Sequence, residues 1–595
     1  MFSGENHDKR AVGTAILNGV LAVCGVLALG LFVWILGWPL DGKAWLFARW
    51  GTWGVLGVFV AQEIGRFFFA GKVSVLVRAR KVELLLAVLV AGEFFFAEVW
   101  GDWFYAQFPE IRPDTLILSL LACSQLTLLL VGGLRLLRRS SLVASRRITP
   151  GMLFILSFAL LILVGTLLLK PPLATPHGIS WVDALFTATS AVCVTGLTTV
   201  EVATDFTRHG HCIILGLVQI GGLGIMTLTY FFAYFLAGGV SLRNRIAMQN
   251  LLSEDNLSQI GTILGIIIGF TFGCEIVGAF AIHYFFVDAG LAGEDPVFFA
   301  IFHAVTAFCN AGMSTLPGNL EDVARGGNEG LLAVIMVLVV LGGIGFPVVK
   351  NLWNVTLAIA RRKIGLRKAI PPRLTTHSRV VLVTSGVLLV GGAALLYLTE
   401  YGFGAGEAGG VSPWFAALFC SVTARSAGFN ITDTSLLSSG SMILLIALMF
   451  VGGSPSSTAG GIKTSTVAVA FLSLRRVVLG LPSIEVFGRK IADETADRAL
   501  AVVLVALSFA MLVAAILCAT FPLLPPLDIL FEVVSALGTT GLGRGISGEL
   551  NAAGKLLLVV TMFVGRIGVL FFLLSVIPKR EHTEFHYPEG TIIIS

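Results

Sequence analysis

Ala191-Val-Cys-Val-Thr-Gly-Leu-Thr198 returns three more times in altered form, as Ala307-Phe-Cys-Asn-Ala-Gly-Met-Ser314, Thr423-Ala-Arg-Ser-Ala-Gly-Phe-Asn430 and Ala536-Leu-Gly-Thr-Thr-Gly-Leu-Gly543. The glycines Gly196, Gly312, Gly428 and Gly541 recur at spacings of 116, 116 and 113 residues. Each motif closes a short apolar stretch that a turn residue opens. Four copies of one small loop at a near-constant period predict four repeats around a common axis. A ring of backbone carbonyls around such an axis selects cations, so the loops point to an ion pathway.

Composition sets the class. The chain has 595 residues, 56% of them hydrophobic and only 13% charged, against roughly 25% charged in soluble domains. Apolar runs of about 20 residues recur, the length that crosses a bilayer. The eight cysteines (24, 123, 193, 212, 274, 309, 420, 518) form no CxxC pair and lie mostly inside apolar runs. They read as small hydrophobes, neither disulfides nor metal ligands. Lys9 and Arg10 precede the apolar run Ala11 to Trp38, which is too long for a signal peptide and reads as a retained first span.

Spans are expected at about 11–38, 45–70, 82–100, 115–137, 151–169, 210–236, 257–287, 330–358, 377–399, 440–479, 497–522 and 554–577. With twelve spans both termini share one side. Most of the 40 Lys and Arg then fall on that side, including Lys72, Arg78, Arg80, Lys81, the cluster Arg135 to Arg147, and Arg361, Arg362, Lys363, Arg367 and Lys368. That asymmetry predicts a multi-pass protein with cytoplasmic termini and glycine loops outside. The net charge of +5 belongs to juxtamembrane anchors facing the lipid bilayer, not to a nucleic-acid site.

The last eight spans form four pairs, each enclosing one glycine loop. The fold class that follows is an all-α polytopic membrane protein of four pseudo-symmetric span–pore-helix–span repeats around one pore, with about four extra N-terminal spans. Its expected divisions are 1–147 for the extra helices, then 148–256, 257–370, 371–490 and 491–595 for the repeats, the last with a cytoplasmic tail. Glu63, Arg66, Glu93 and Glu98 in the extra region read as structural or interfacial charges. The segments before the loops, about 181–192, 297–309, 413–424 and 527–537, are too short to cross at 1.5 Å per residue. Ser180, Asp295-Pro296 and Ser412-Pro413 place a cap residue at three of their starts, and Pro526-Leu-Asp528 is a weaker version. Such half-helices aim their negative dipole ends at the axis, which favours a cation there.

Non-helical backbone at membrane depth survives only where it is buried in protein or lines a cavity. Glycine at the fixed position admits positive φ and lets carbonyls crowd the axis. Ion contacts are expected from the carbonyls of Val194, Thr195 and Gly196; Asn310, Ala311 and Gly312; Ser426, Ala427 and Gly428; and Thr539, Thr540 and Gly541.

The tenth span runs near 40 residues, about twice the length a helix needs. At its middle lie Gly452, Gly453, Ser454, Pro455, Ser456, Ser457, Thr458, Ala459, Gly460 and Gly461. No continuous helix fits that composition, and a flexible intramembrane loop in a wet cavity below the filter is expected. Lys463 ends the loop and is expected to hold its closed form through a carbonyl or carboxylate. Counted from each filter glycine, Gly222, Gly343, Gly453 and Arg566 follow by 26, 31, 25 and 25 residues, the second repeat carrying a longer outer turn from Gly318 to Gly330. Arg566 is therefore expected at the depth of the loop, where a positive charge raises the barrier to a cation by a few kcal/mol in order of magnitude.

Ser190 to Gly196, Phe308 to Gly312, Thr423 to Gly428, the break Gly452 to Lys463 and the tail Tyr587-Pro-Glu589 resemble the Trk/Ktr/HKT potassium transporters, closest to the bacterial KtrB/TrkH-type membrane subunits. The resemblance covers about residues 150–595. It implies K⁺ as the transported ion, because an all-glycine filter goes with potassium and serine at the first glycine goes with sodium. It also implies a homodimer in a bacterial cell (inner) membrane and a KtrA/TrkA-like cytosolic ring of nucleotide-binding regulatory subunits. The loop and the arginine matching Arg566 form the barrier that regulation removes. Met313 departs from the pattern, which often has an aromatic after the second glycine.

The chain has no GxxxxGK[ST] and no GxGxxG in a βαβ setting, so nucleotide control must come through a partner, and no covalently bound cofactor is expected. Neither HExxH nor a GxSxG elbow is present, and the protein reads as no enzyme. Gated potassium uptake is the leading reading. The alternative is Na⁺- or H⁺-coupled K⁺ cotransport, for which Glu275 and Glu532 are the attractive acids.

Overall fold

The computed structural model describes residues 19–20, 23–39, 42–69, 150–237, 260–288, 295–363, 373–402 and 410–576. The expected spans near 82–100 and 115–137, the tail at Tyr587, and the side chains of Glu63, Arg66, Glu93 and Glu98 lie outside what is described. Among the described residues, two helices, α1 (Val23–Gly37) and α2 (Gly42–Phe69), precede the repeats. The end of α1 docks on the first repeat, where Leu173 N donates to the Gly37 carbonyl and His209 Nε2 lies 2.7 Å from the Leu36 carbonyl.

Each repeat is a span, a short helix and a second helix. The first has α3 (Pro150–Leu169), α4 (Trp181–Val192) and α5 (Arg208–Ala237). The second has α6 (Ile260–Asp288), α7 (Pro296–Cys309), α8 (Glu329–Gly343) and α9 (Phe346–Lys363). The third has α10 (Thr376–Leu396), α11 (Pro413–Thr423), α12 (Ser439–Phe450) and α13 (Thr464–Leu479). A small hairpin of β1 (Ile484–Val486) and β2 (Arg489–Ile491) leads into the fourth, which has α14 (Asp493–Thr520), α15 (Pro526–Gly538), α16 (Ala552–Ile567) and α17 (Val569–Val576).

The caps follow the residues. The Ser180 side chain accepts from Asp183 N, and the Asp295 carboxylate from Val297 N and Phe298 N, so each satisfies helix-start donors left free. Ser412 differs from expectation: its side chain caps nothing, and its own N–H donates to Glu329 Oε1 at 2.7 Å. In the fourth repeat Pro525 is the cap position, and Asp528 pairs instead with Arg544 Nε at 2.8 Å.

Three of the second helices break. Helices α8 and α9, expected as one span, meet at 100° around Ile344 and Gly345. A loop separates α12 from α13, and Gly568 at φ 93° ends α16. The signals were local: Gly345 sits at φ 92° and Pro347 follows.

Between membrane helices no water-driven force operates, so close van der Waals approach by small residues must hold them. Gly221, Gly342 and Gly565 do this in repeats one, two and four. A Cβ there would stand 2.1, 1.9 and 2.1 Å from the carbonyl oxygens of Val192, Phe308 and Leu537, each four residues before its repeat-loop glycine. The second helix thus presses its backbone onto the end of the pore helix. Phe186, Phe299, Phe302, Phe419 and Phe531 of the short helices are fully buried around that seat.

Polar contacts tie each repeat to the next near the starts of the short helices. Arg208 reaches Asp295 at 2.7 Å, Glu329 holds Ser412 N, and Arg544 donates to the Thr434 and Ser435 carbonyls at 2.5 and 3.0 Å. Lys555 closes the circle by reaching Asp183 at 2.7 Å.

Candidate functional site: a four-loop ring and the loop beneath it

The four loops share one backbone. The residue two before each repeat-loop glycine is left-handed: Val194 at φ 53°, Asn310 at 63°, Ser426 at 66° and Thr539 at 46°. Gly196, Gly312, Gly428 and Gly541 follow at 94°, 62°, 76° and 94°. Two left-handed residues with one between turn the chain off the helix end, and three of the loops do it with identical bonds. Thr195 N, Ala311 N and Thr540 N donate to the carbonyls of Ser190, Thr306 and Ser535 at 2.7–2.8 Å. The third loop uses Ala427 N and Gly428 N on Thr423 O instead. In the first and fourth, the serine hydroxyl of Ser190 or Ser535 also accepts from the glycine N–H, at 3.0 and 3.1 Å.

The loops meet in cyclic order. A Cβ on Gly196 would stand 2.4 Å from the Ala311 carbonyl oxygen, on Gly312 2.5 Å from that of Ala427, on Gly428 2.4 Å from that of Thr540, and on Gly541 2.1 Å from that of Thr195. Each glycine abuts the next loop's carbonyl, and the fourth returns to the first. No Cβ tolerates such contacts, so all four positions require glycine for space as well as for φ. Against the ring lies a cavity of about 230 Å³ lined by the four loop glycines with Glu201, Asn319, Glu321 and Asn430 among others.

Beneath it runs the segment between α12 and α13. Most of this segment is packed within protein, and Gly453 lines a cavity of about 200 Å³ together with Gly343 and Arg425. Gly452, Gly453, Ser454, Ser457, Thr458, Ala459 and Gly460 are buried, while Pro455, Ser456 and Gly461 are half-buried. Val451 and Ile462 pair as a parallel bridge across the neck of the loop. Ser454 N and Thr458 N donate to the Gly343 and Gly342 carbonyls at 3.0 and 3.2 Å, and Phe346 N donates to Ser456 O at 3.0 Å. Thr458 Oγ1 donates to Phe308 O at 3.0 Å, and Gly460 N to Ser426 Oγ at 3.1 Å. Ser426 Oγ in turn lies 2.7 Å from Gly538 O. Its side chain therefore braces loop against pore helix, a task its sequence position does not announce.

Arg566 is buried and reaches two carbonyls. One guanidinium nitrogen donates to Thr458 O of the loop, the other to Gly221 O at 2.9 Å. Lys463 Nζ donates to Ala459 O at 2.8 Å, the carbonyl contact expected of it. Sequence reasoning missed Arg425, which is buried and sits 3.3 Å from Gly452 O and from Ser385 Oγ. Glu532 lies behind the fourth loop, accepting from Arg544 N at 3.1 Å and from Ser547. Glu275 accepts from Gln219 Nε2 at 3.2 Å, with Cys309 Sγ 3.9 Å away. Cys193 and Cys309 are fully buried packing residues. Among the described residues no group of three His, Cys, Asp or Glu is placed to hold a metal.

A model of the TrkH cation transport proteins matches residues 124–584. The chain belongs to that family. It is 35% identical over 457 residues to the potassium/sodium uptake protein NtpJ of Enterococcus hirae, covering 76% of this chain and 98% of that one. It is 33% identical over 461 residues to the Ktr system potassium uptake protein B of Bacillus subtilis, covering 77% and 99%. The solved structure of the potassium transporter TrkH from Vibrio parahaemolyticus shares the fold, with a TM-score of 0.57 at 21% identity over 84% of this chain and 98% of that chain. This TrkH-family chain is thus an all-α membrane cation transporter. The span of the match leaves most of the N-terminal region outside the family's common part.

Proposed function

We propose that this TrkH-family protein takes up potassium through a gated, channel-like pore whose selectivity filter is the four-loop ring. The reading rests above all on the cyclic abutment of Gly196, Gly312, Gly428 and Gly541 with the carbonyls of Ala311, Ala427, Thr540 and Thr195. Peptide oxygens gathered around one axis replace the water shell of an alkali cation, and the negative ends of four short helices add to the field. The uptake systems named for the Enterococcus and Bacillus relatives support potassium as cargo.

The segment 452–461 is the gate and Arg566 its latch. A guanidinium bonded to Thr458 O and Gly221 O both closes the loop and sets a positive charge in the cation's path. Lys463 holds the far end through Ala459 O. The protein works as a homodimer in a bacterial cell membrane, termini inside, with a nucleotide-binding cytosolic ring that releases the loop. In this reading the protein is a transporter and not an enzyme.

Coupled transport is the second reading, favoured by one observation: Glu275 is buried beside the second filter loop with an amide and a thiol as its neighbours. Reversal potentials under independent K⁺, Na⁺ and pH gradients separate the two. The leading reading is tested by K⁺ and Na⁺ flux into liposomes for the wild type and Gly196→Ser. The serine Cβ must displace the Ala311 oxygen, so K⁺ preference falls; an unchanged ratio contradicts the filter assignment.

A further inference from the structure

The ring is not fourfold in its outermost carbonyls. Among the described residues, the Gly196, Gly428 and Gly541 oxygens accept no hydrogen bond, whereas Gly312 O accepts one from Asn319 Nδ2 at 2.8 Å. We propose that Asn319 is a positioning residue for ion selectivity, acting through the Gly312 carbonyl; this deepens the filter reading and rests on it.

Asn319 is held firmly for the task. Its backbone is left-handed at φ 67°, its N–H donates to Leu316 O at 3.2 Å, and Gly318 before it turns at φ 65°. The Ser314 hydroxyl lies 3.0 Å from the Asn319 carbonyl and 2.9 Å from His303 Nε2. His303 is fully buried in α7, its Nδ1 2.9 Å from Phe299 O. A buried polar chain therefore runs from the pore helix through Ser314 to the turn that carries Asn319. The turn belongs to the long outer segment that only the second repeat possesses.

The chemistry is a competition for one oxygen. A carbonyl that accepts an amide proton has less electron density to offer a cation, and it cannot swing freely toward the axis. Selectivity among alkali ions depends on how strong and how mobile the coordinating dipoles are. A weakened, tethered oxygen disfavours collapse around the smaller, more strongly hydrated sodium ion. Losing the Asn319 amide frees Gly312 O to strengthen and close in, which favours sodium.

The test is the K⁺/Na⁺ flux ratio of purified full-length protein in liposomes, for wild type, Asn319→Ala, Asn319→Asp, Asn430→Ala and Gly196→Ser. Asn319→Asp keeps the shape but cannot donate, so it guards against misfolding of the alanine variant. We expect both Asn319 variants to lower the ratio at least threefold, with Asn319→Asp, which tolerates the left-handed backbone, keeping the wild-type melting temperature. Asn430→Ala, whose residue lines the same cavity without bonding a loop-glycine carbonyl, should lower the ratio less than either Asn319 variant. If Gly196→Ser changes the ratio and either folded Asn319 variant does not, this inference is overturned while the filter reading stands. If Gly196→Ser also leaves the ratio unchanged, the filter reading itself falls. A parallel drop in Asn430→Ala would also overturn the assignment, since a general outer-mouth effect would then suffice.

Discussion

The guanidinium of Arg566 donates to the carbonyl of Thr458, 108 residues earlier in the chain, and joins the fourth repeat to the loop that interrupts the third. A second bond to Gly221 O ties the same side chain to the first repeat. Charged hydrogen bonds contribute about 1.5–3 kcal/mol each, and about 1.4 kcal/mol is a tenfold change in an equilibrium. Loss of even one such bond shifts the closed loop by about tenfold, so Arg566→Ala, or deletion of 454–459, should raise K⁺ flux about tenfold or more at equal membrane expression. Tracer uptake in cells lacking other K⁺ systems measures it, and equal or lower flux contradicts the latch.

The outer cavity predicts a pH response. Partial desolvation at the cavity wall raises the exposed Glu201 carboxyl above its ordinary value of 4.5, opposed by the Ala203 N–H and helped by Asp205 and Glu321. Burial does the same for Glu321, with Asp433 and Asp322 adding and Arg325 opposing. A raised carboxyl favours the folded state fully below its unfolded value, and that contribution is lost as pH rises through the folded value. On the proposed pathway, the negative charge that would draw K⁺ to the ring appears over the same window. Acidifying the outside should thus lower uptake at sub-saturating K⁺ from a pH above 4.5. The double variant Glu201→Gln with Glu321→Gln should flatten the profile, and a profile it leaves unmoved counts against these two groups.

Helix-to-pore-helix contact sets stability. Gly342→Ala places a Cβ 1.9 Å from Phe308 O and 2.8 Å from Thr458 Oγ1. Overpacking of this kind costs about 1–3 kcal/mol. Gly216, in α5 with open space around it, should instead gain about 0.4–1 kcal/mol when replaced by alanine. Thermal unfolding in detergent compares them, and equal melting temperatures would remove the packing argument.

The contacts between repeats should differ in strength. Lys555 and Asp183 are 14% and 16% exposed, and Asp183 also bonds Ser180 and Thr199 at 2.6 and 2.7 Å. Arg208 and Asp295 are 65% and 39% exposed. Double-mutant cycles should give about 1–2 kcal/mol of coupling for the first pair and under about 1 kcal/mol for the second. The reverse order would show that burial does not govern these contacts.

Repetition made the fold legible. Four glycines in register announced four equivalent loops, and the composition of 452–461 excluded a helix there. Counting from the filter also placed Arg566 beside that loop, where its bond to Thr458 is found. What stayed hidden depends on partners distant in the chain. Ser426 braces Gly460 34 residues away and Gly538 112 residues away, and neither pairing has a local signature. Asn319 reaches back only seven residues, yet its αL turn had no repeat to compare with. The bend at Gly345 was readable from Gly-Phe-Pro and was overlooked because the apolar run continues through it.

The central claim concerns where a bare ion sits. A crystallographic map with thallium or rubidium in place of potassium, using the anomalous signal, addresses it directly. The account predicts a peak on the axis enclosed by the loops of Gly196, Gly312, Gly428 and Gly541, in contact with their peptide oxygens. Anomalous peaks elsewhere in the membrane region, with that axis empty at saturating ion, would contradict it.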